Sequence, residues 1–348
     1  QYDGTAYGVS ASSDKPDSTV LYRETYSANP ADYTLTSSPT LTHTGTKTVY
    51  FVATNSNYQP AFGSATVTVT PRAITLTSAD ASRAYNGAAL TNSTVTPSGD
   101  GFVGTEGFLT TPTATGSIKD VGSTHNTFTV PGFKEGTLAT DYVVTPVEGT
   151  LTVTRATLTV QADDKQIAYP ANRPATTALT YQYVSGAAAG ETPAYSGNLG
   201  YTGLTSDPLS PNTYTDAITQ GTLGLSNNDA FLAGNYTLVV LPGDLKVVNG
   251  SFTVDLTGGS WTYNGNPHTP SLTGTTTGDT VTYYTKDGGG NWVPFTGVPS
   301  VTNVSDGTVE VKVEVKRTGY EPATDTTFIS ITPATTTATA TGYDAKYD

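Results

Sequence analysis

Residues 308–315 read TVEVKVEV, so that valine alternates with a polar or charged residue along the whole run. Successive side chains of a β-strand point to opposite faces, and this period predicts a strand with one buried and one solvated face. Residues 46–53, which read TKTVYFVA, alternate in the same way. Further strands are predicted at residues 73–77, 156–161, 236–241 and 252–256. Because Asn-Gly and Asp-Gly turns are dense and no window has helical periodicity, the chain is predicted to be all-β.

The chain repeats itself, and each repeat opens with a tyrosine. The four openings are Tyr2-Asp3-Gly4, Tyr85-Asn86-Gly87, Tyr169-Pro170-Ala171-Asn172 and Tyr263-Asn264-Gly265. The first and fourth segments close with an alternating strand and a proline, and we call them the outer type. The second and third share a different pattern, with Asp141-Tyr142 matching Asn235-Tyr236, and we call them the inner type. Self-similarity at this spacing indicates one supersecondary unit copied in tandem.

These patterns predict four repeats and a tail: residues 1–72 (outer, without a lead-in strand), 73–155 and 156–249 (inner), 250–334 (outer), and 335–348 (the lead-in strand of a following repeat). Each repeat is predicted to be a small Ig-like β-sandwich, with a β-grasp-like module as the alternative. At every boundary one strand runs into the next within about 2–3 residues, shorter than a flexible linker. We therefore expect an elongated rod with restricted hinges.

Composition limits the function classes. The formal net charge of -13 disfavours nucleic-acid binding, which needs basic clusters. No apolar run approaches about 20 residues, so no membrane span is predicted. Cysteine is absent, which excludes disulfides and thiolate metal sites. Methionine is absent as well and a fifth opening, Tyr347-Asp348, is cut short, so the chain is expected to be a piece of a longer polypeptide.

The openings, the segment Gly234-Asn235-Tyr236-Thr237-Leu238, and the closing strands at 149–153 and 243–247 resemble the MBG and YDG repeats of bacterial surface proteins. The outer segments are similar to Ig-like repeats of large wall-anchored proteins. The resemblance covers nearly the whole chain. It implies an extracellular location at a bacterial cell surface, wall-anchored or secreted, and a role as adhesin stalk, spacer or weak binder of host glycans, mucin or matrix proteins.

Two sets of residues are candidates for sites. The opening residues Tyr2, Gly4, Tyr85, Gly87, Tyr169, Tyr263 and Gly265 are predicted to be structural, with the phenol at a core edge, its hydroxyl on backbone, and a positive φ at glycine. Trp261 and Trp292 could stack on a sugar ring, although a place in their own core is the favoured interpretation.

No catalytic or cofactor site is predicted. His43, His125 and His268 lie in three different repeats without metal-binding spacing, and they are predicted to be surface residues. Asp163-Asp164 could help to hold Ca²⁺, but no calcium-binding loop pattern accompanies the pair. We therefore expect no enzyme activity, no cofactor and no metal.

The tail offers one more hypothesis. Residues 338–348 resemble the lead-in strand of an inner repeat, residues 75–86. Such a strand could complete the first repeat of a neighbouring copy by strand addition and so build a filament, or pack on its own fourth repeat. Taken together, the sequence favours a structural stalk or adhesin segment, and the alternative is a carbohydrate-binding array of a secreted glycoside hydrolase.

Overall fold

Among the described residues, the regular structure of this protein consists of β-strands and five short 3-10 turns. A computed structural model describes residues 1–345, and within that range it contains no α-helix. Strand β26 (Val309–Lys316) shows why: Val311, Val313 and Val315 are fully buried, and the intervening Lys312 and Glu314 lie on the opposite face. The prediction of an all-β chain is confirmed. Within the same residues, no helix is long and apolar enough to cross a membrane.

The chain folds as two compact units. Unit 1 comprises Gln1–Leu158, Gly186–Pro193 and Asn227–Thr237; unit 2 comprises Thr159–Ser185, Ala194–Ser226 and the residues from Leu238 onward. Strands β12 (Ala156–Ala162) and β19 (Tyr236–Leu241), which belong to the third predicted repeat, are each divided between the units. The predicted repeat boundaries therefore stay a prediction.

The strands up to β11 lie in unit 1. They are β1 (Thr19–Arg23), β2 (Gly45–Asn55), β3 (Tyr58–Val69), β4 (Arg72–Ser78), β5 (Ala81–Ala84), β6 (Leu90–Thr91), β7 (Val95–Gly99), β8 (Ser117–Ile118), β9 (Gly122–Asn126), β10 (Tyr142–Val147) and β11 (Gly149–Thr154). The 3-10 turns of the chain are η1 (Pro30–Asp32), η2 (Ala139–Asp141), η3 (Thr176–Ala178), η4 (Ala233–Asn235) and η5 (Val304–Asp306).

The remaining strands run from the third repeat to the end of the fourth. They are β12 (Ala156–Ala162), β13 (Lys165–Ala168), β14 (Tyr181–Ser185), β15 (Ala194–Ser196), β16 (Gly200–Tyr201), β17 (Asn212–Thr219), β18 (Gly224–Ser226), β19 (Tyr236–Leu241), β20 (Gly243–Val248), β21 (Asp255–Thr257), β22 (Gly259–Thr262), β23 (Ser271–Thr273), β24 (Thr280–Lys286), β25 (Trp292–Phe295), β26 (Val309–Lys316) and β27 (Ala323–Thr332).

In unit 1, the first repeat is an antiparallel sheet of order β1-β2-β3. The second repeat has two larger sheets, β10-β4-β7 and β5-β11-β9. Its first segment changes sheet, because β4 pairs in parallel with β10 and the next strand, β5, pairs in parallel with β11. Ile74 and Leu76 of one sheet and Leu151 and Val153 of the other are buried, as the core of a two-sheet sandwich requires.

The same change of sheet occurs in the rest of the chain. In the third repeat, β12 belongs to the sheet β14-β12-β19 and β13 to the sheet β13-β20-β17-β16. In the fourth, β21 pairs with β23, and β22 pairs in parallel with β27 of the sheet β22-β27-β26-β24-β25. Gly258 lies at the turn between them, where a Cβ would come 2.1 Å from the carbonyl oxygen of Phe328, so only glycine fits.

A first strand that switches between two facing sheets confirms the predicted Ig-like sandwich. The β-grasp alternative is wrong, since such a module packs a helix on its sheet and residues 1–345 contain no α-helix. Two boundaries are as tight as predicted: β3 ends at Val69 and β4 begins at Arg72, and β11 ends at Thr154 and β12 begins at Ala156.

The structure contradicts the predicted boundary between the third and fourth repeats. Strand β20 ends at Val248 and β21 begins only at Asp255, so both the predicted tight boundary and the predicted start of a strand at residue 252 are wrong. The reason is that Gly250 pairs with a distant turn instead: its amide donates to the carbonyl of Gly319 at 2.9 Å, and its carbonyl accepts from the amide of Glu321 at 2.9 Å.

Candidate functional site: tyrosine contacts between repeats

The four opening tyrosines occupy equivalent places. Each tyrosine amide donates a hydrogen bond to a carbonyl at the end of the closing strand of its own repeat: Tyr2 to Thr70 (2.8 Å), Tyr85 to Thr154 (2.8 Å), Tyr169 to Val248 (3.0 Å) and Tyr263 to Thr332 (2.8 Å). Each tyrosine is therefore held at the end from which the chain leaves the repeat.

Tyr2 lies in a polar and aromatic contact with the second repeat, within unit 1. Its ring meets the ring of Tyr142 edge-on, with centroids 5.8 Å apart and an angle of 84° between the planes. Its hydroxyl donates to Glu106 Oε1 at 2.7 Å, and the Tyr142 hydroxyl donates to the other oxygen of the same carboxylate. The amide of Val103 donates to the Tyr142 hydroxyl at 3.0 Å. One glutamate thus joins tyrosines of two repeats.

Tyr85 has the same contact with the part of the third repeat that belongs to unit 1. Its ring meets Tyr236 edge-on at 5.4 Å and 81°. Its hydroxyl donates to Glu191 Oε1, and the Tyr236 hydroxyl donates to Glu191 Oε2 at 2.7 Å. The amide of Ala188 donates to the Tyr236 hydroxyl at 2.9 Å. Hydrogen bonds to a carboxylate are stronger than neutral ones, and edge-on aromatic pairs are favourable, so the contact is specific in both places.

A second polar link accompanies each contact. Asp141, which precedes Tyr142, is fully buried and accepts from the amide of Thr44 at 2.6 Å; it also lies 2.7 Å from Nδ1 of His43. In the second contact the amide of Val121 donates to Oδ1 of Asn235 at 2.9 Å. Each tyrosine pair is therefore flanked by an Asp or Asn side chain that binds the preceding repeat, and two such points resist rotation better than one.

The tyrosine pKa values reflect this environment. The hydrogen bond to the Glu106 carboxylate, together with burial, raises the pKa of Tyr2 above its usual range. Burial and the hydrogen bond to Glu106 raise the pKa of Tyr142 to about 12. Burial and the hydrogen bond to Glu191 raise the pKa of Tyr85. In each case a phenolate beside the carboxylate would be unfavourable, so the hydroxyls stay protonated as donors at neutral pH.

The glycine of the opening lets the two repeats approach. Gly4 and Gly87 have φ of 80° and 81°, a region that costs other residues energy. A Cβ would lie 3.2 Å from Val103 at Gly4 and 3.0 Å from Ala188 at Gly87. The predicted positive φ is confirmed at these two positions. The predicted backbone acceptor for the tyrosine hydroxyl is wrong for Tyr2 and Tyr85, because the acceptor is a glutamate.

Tyr169, whose opening lacks the glycine, makes a different contact, within unit 2. Its ring meets Tyr320 edge-on at 5.2 Å and 82°. Gly319, with φ of 85°, lies against that ring, and a Cβ there would come 2.7 Å from it. Where the other two contacts have a glutamate, this one has the backbone hydrogen bonds of Gly250 with Gly319 and Glu321. The guanidinium carbon of Arg317 lies 5.6 Å from the centre of the Tyr320 ring.

Tyr263 has no such contact among the described residues. Its side chain is 45% exposed, whereas Tyr2 is 3% and Tyr85 is 6% exposed. Gly265 has φ of 79°, like its counterparts, but nothing lies within 4 Å of the place where its Cβ would be. The fourth opening is therefore formed like the first two and left open.

The two tryptophans are half-buried. Trp261 packs against the core of the fourth repeat, and His268 stacks on its ring with centroids 4.9 Å apart and 14° between the planes. Trp292 lies in the edge strand β25 with the ammonium of Lys286 5.3 Å from its ring centre. Each ring thus has one face covered by a neighbouring side chain. Stacking of a sugar on Trp261 or Trp292 stays a prediction.

Glu106 and Glu191 were not predicted from the sequence. Both lie in turns with the same internal hydrogen bond, from the Glu106 amide to Val103 (3.0 Å) and from the Glu191 amide to Ala188 (3.1 Å). The common spacing, a small or branched residue followed three positions later by glutamate, is visible only when the inner repeats are aligned. Without that alignment, a single glutamate in a glycine-rich turn is expected to be solvated.

The remaining candidates are separate. His125 is 75% exposed. Asp164 accepts a hydrogen bond from the amide of Asp244 at 2.7 Å, at the turn where the third repeat changes sheet. Within residues 1–345, no group of three or more His, Asp or Glu side chains is placed to hold a metal ion.

Comparison with known proteins identifies no family for this chain. No family model matches the chain, and no curated protein matches it. Among solved structures, the N-terminal four Ig domains of Dscam1 isoform 1.9 align over 95% of this chain and 96% of that one, with 10% identity and a TM-score of 0.20. Cadherin domains 3–6 of protocadherin gamma B2 align over 96% of both chains, with 12% identity and a TM-score of 0.24.

A third structure is BT4661, a SusE-like surface-located polysaccharide-binding protein of Bacteroides thetaiotaomicron. It aligns over 83% of this chain and 52% of its own, with 8% identity and a TM-score of 0.18. TM-scores this low establish neither a common fold nor a common function. The Ig-like architecture therefore rests on the strand pairing described above.

Proposed function

We propose that this chain is a stalk segment of an extracellular surface protein, in which repeats are coupled so that a binding region is held at a distance. The observation that supports this most directly is the buried contact of Tyr2 with Glu106 and Tyr142, repeated by Tyr85 with Glu191 and Tyr236. Repeats that moved independently would not bury the equivalent tyrosine against the following repeat in two successive places.

The proposed location is a bacterial cell surface, with the protein wall-anchored or secreted. The resemblance of the openings to MBG and YDG repeats supports it. The net charge of -13 favours solubility and self-avoidance of a repeated surface segment. The proposal assigns no catalytic role.

Weak binding of host glycans, mucin or matrix proteins is compatible with a stalk, and so is assembly through residues 338–348. Residues 338–345 form no strand and residues 346–348 lie outside the described residues, so the strand-addition hypothesis stays a prediction. The favoured role of this segment is spacing rather than recognition, because the contacts that recur in it join one repeat to the next.

Coupling can be measured directly, because the chain has no cysteine and accepts two without background labelling. We would place spin labels at Thr36→Cys and Thr96→Cys, exposed positions in the first two repeats, and measure the distance distribution by double electron–electron resonance. A coupled pair gives one narrow peak, and Glu106→Gln broadens it. A broad distribution in the parent protein would overturn the stalk proposal.

Binding is tested in parallel on an array of glycans, mucin and matrix proteins. A pure spacer gives no saturable signal at high micromolar concentration. Saturable binding that is lost in Trp292→Ala or Trp261→Ala would instead make this an adhesive or carbohydrate-binding segment.

A further inference from the structure

The opening of the fourth repeat has the same backbone geometry as two other openings, each of which is covered by the following repeat. The backbone amide of Tyr263, like that of Tyr2, donates a 2.8 Å hydrogen bond to a carbonyl at the end of the closing strand. Gly265 also has nearly the same positive φ as Gly4. Yet Tyr263 is 45% exposed and Tyr2 is 3% exposed. The rings of Tyr2 and Tyr85 are buried because the following repeat covers them, and the Tyr263 ring has the same backbone placement without such a cover among the described residues.

The type of opening goes with the type of repeat that covers it. The two openings that contain glycine, at Tyr2 and Tyr85, are covered by inner repeats, each of which supplies a glutamate and a tyrosine. The opening without glycine, at Tyr169, is covered by an outer repeat, which supplies Gly319 and Tyr320 and no glutamate. Tyr263-Asn264-Gly265 has the glycine-containing form, so its matching partner is an inner repeat.

We propose that the face formed by Tyr263 and Gly265 is a docking surface for an additional inner-type repeat, one of the class of residues 73–155. In this contact the Tyr263 hydroxyl donates to the partner's glutamate, the counterpart of Glu106, and the partner's tyrosine meets the Tyr263 ring edge-on. The residue three positions before that glutamate, which is Val103 or Ala188 in the two occupied contacts, lies against Gly265. The proposal names a partner for the stalk and rests on the stalk function for its biological purpose.

The rest of this chain cannot supply the partner unchanged. Glu106 already accepts from Tyr2 and Tyr142, and Glu191 accepts from Tyr85 and Tyr236, so each carboxylate has both oxygens in use. A second whole copy therefore offers no vacant glutamate of this kind, and the occupant is an inner repeat whose own acceptor is free. Residues 338–345, whose sequence resembles an inner lead-in strand, are exposed and form no strand.

The linker between the first two repeats provides the test. There the chain reads Thr70-Pro71-Arg72, and after the fourth repeat it reads Thr332-Pro333. Joining residues 1–333 to an added copy of residues 72–155 recreates the same linker and leaves all four repeats in place. Hydroxyl-radical footprinting with mass spectrometry then reports the modification rate of each tyrosine in one sample.

In the parent chain Tyr263 should be modified at a rate near that of Tyr26, which is 62% exposed. In the extended protein the rate at Tyr263 should fall to that of Tyr2. Glu106→Gln in the added copy should restore part of the modification, whereas Glu135→Gln, an exposed site in the same copy, should not.

Two results would overturn the proposal. One is an unchanged rate at Tyr263 while amide exchange shows the added copy protected like residues 72–155 in the body of the protein. The other is an added copy that fails to fold next to the native face. Neither result bears on the stalk function itself, because the spin-label distances between the first two repeats are measured without any added copy.

Discussion

The hydroxyl groups of Tyr2 and Tyr142 donate to the two oxygens of one carboxylate while their rings meet edge-on, with centroids 5.8 Å apart. The two tyrosines come from different repeats, and neither has a full set of partners alone. Tyr2 needs Glu106 for its hydroxyl, and Glu106 needs both hydroxyls if its partly buried charge is to be compensated. The contact therefore couples the folding of the first repeat to that of the second.

Replacing the glutamate should weaken this coupling. Glu106→Gln keeps the shape of the side chain but replaces two charge-assisted hydrogen bonds, at a cost of about 1–3 kcal/mol. The loss should appear in urea unfolding of the full chain and as faster exchange of the Val103 amide. Glu135→Gln, an exposed glutamate in the same repeat, is the matched control and should change neither. Equal stability of the two variants would contradict the role given to Glu106.

High pH should weaken the same contact. The folded-state pKa of Tyr142 is raised to about 12, above its unfolded value near 10, so its contribution to stability is complete below pH 10 and is lost as pH rises towards 12. Each such tyrosine contributes at most about 1.4 kcal/mol per pH unit. We expect Tyr142→Phe to reduce the slope of unfolding free energy against pH in this window. Tyr26→Phe, at an exposed site, should leave the slope unchanged.

The contact at Tyr169 depends on a glycine rather than a glutamate. In Gly319→Ala the new methyl group would come 2.7 Å from the Tyr169 ring at a residue with φ of 85°. Gly290→Ala is a control with φ of 81° and nothing within 4 Å, so it carries only the backbone cost of about 1–2 kcal/mol. Gly319→Ala should lower the midpoint of urea unfolding by more than the control does. A smaller or equal effect would show that Tyr169 is not tightly packed there.

Much of the strand pattern is predictable because it is local. The alternation of residues 308–315 specifies which face of β26 is buried without any knowledge of its neighbours, and strand β19, Tyr236–Leu241, has the predicted bounds. The start of β21 is not predictable in this way, since Gly250 hydrogen-bonds to a turn about seventy positions along the chain and the Phe252 ring packs against Tyr320 of that turn. Local propensity gives way there to a distant partner.

The contacts between repeats were only partly predictable from the sequence. The opening tyrosines stand out because they recur, and their recurrence points to a shared place in the structure. Their acceptor does not stand out, because Tyr2 and Glu106 are 104 positions apart and a single glutamate in a turn has no periodicity. Repetition thus identifies the donor of each hydrogen bond, whereas the acceptor is found only from the packed structure.

Acid should weaken the fourth repeat through Asp279. Arg317 binds this carboxylate with two hydrogen bonds, Nε to Oδ1 at 2.9 Å and Nη2 to Oδ2 at 2.8 Å, and the same guanidinium lies 4.2 Å from the ring centre of Phe252. The hydrogen bonds from Arg317 lower the pKa of Asp279 to about 2. Because this folded-state pKa lies below the unfolded value of 3.8, the stabilisation is present above pH 4 and is lost as pH falls towards 2.

Asp279→Asn should therefore be less stable than the parent at pH 7 and should lose less stability between pH 4 and pH 2. Chemical unfolding at pH 7, 4 and 2 measures both effects. Asp255→Asn, an exposed carboxylate of the same repeat, should follow the parent curve. A parallel pH dependence in the parent and Asp279→Asn would mean that the ion pair adds no net stability. In that case packing alone holds Arg317 over Phe252 and Tyr320, and Arg317→Met should then be tolerated.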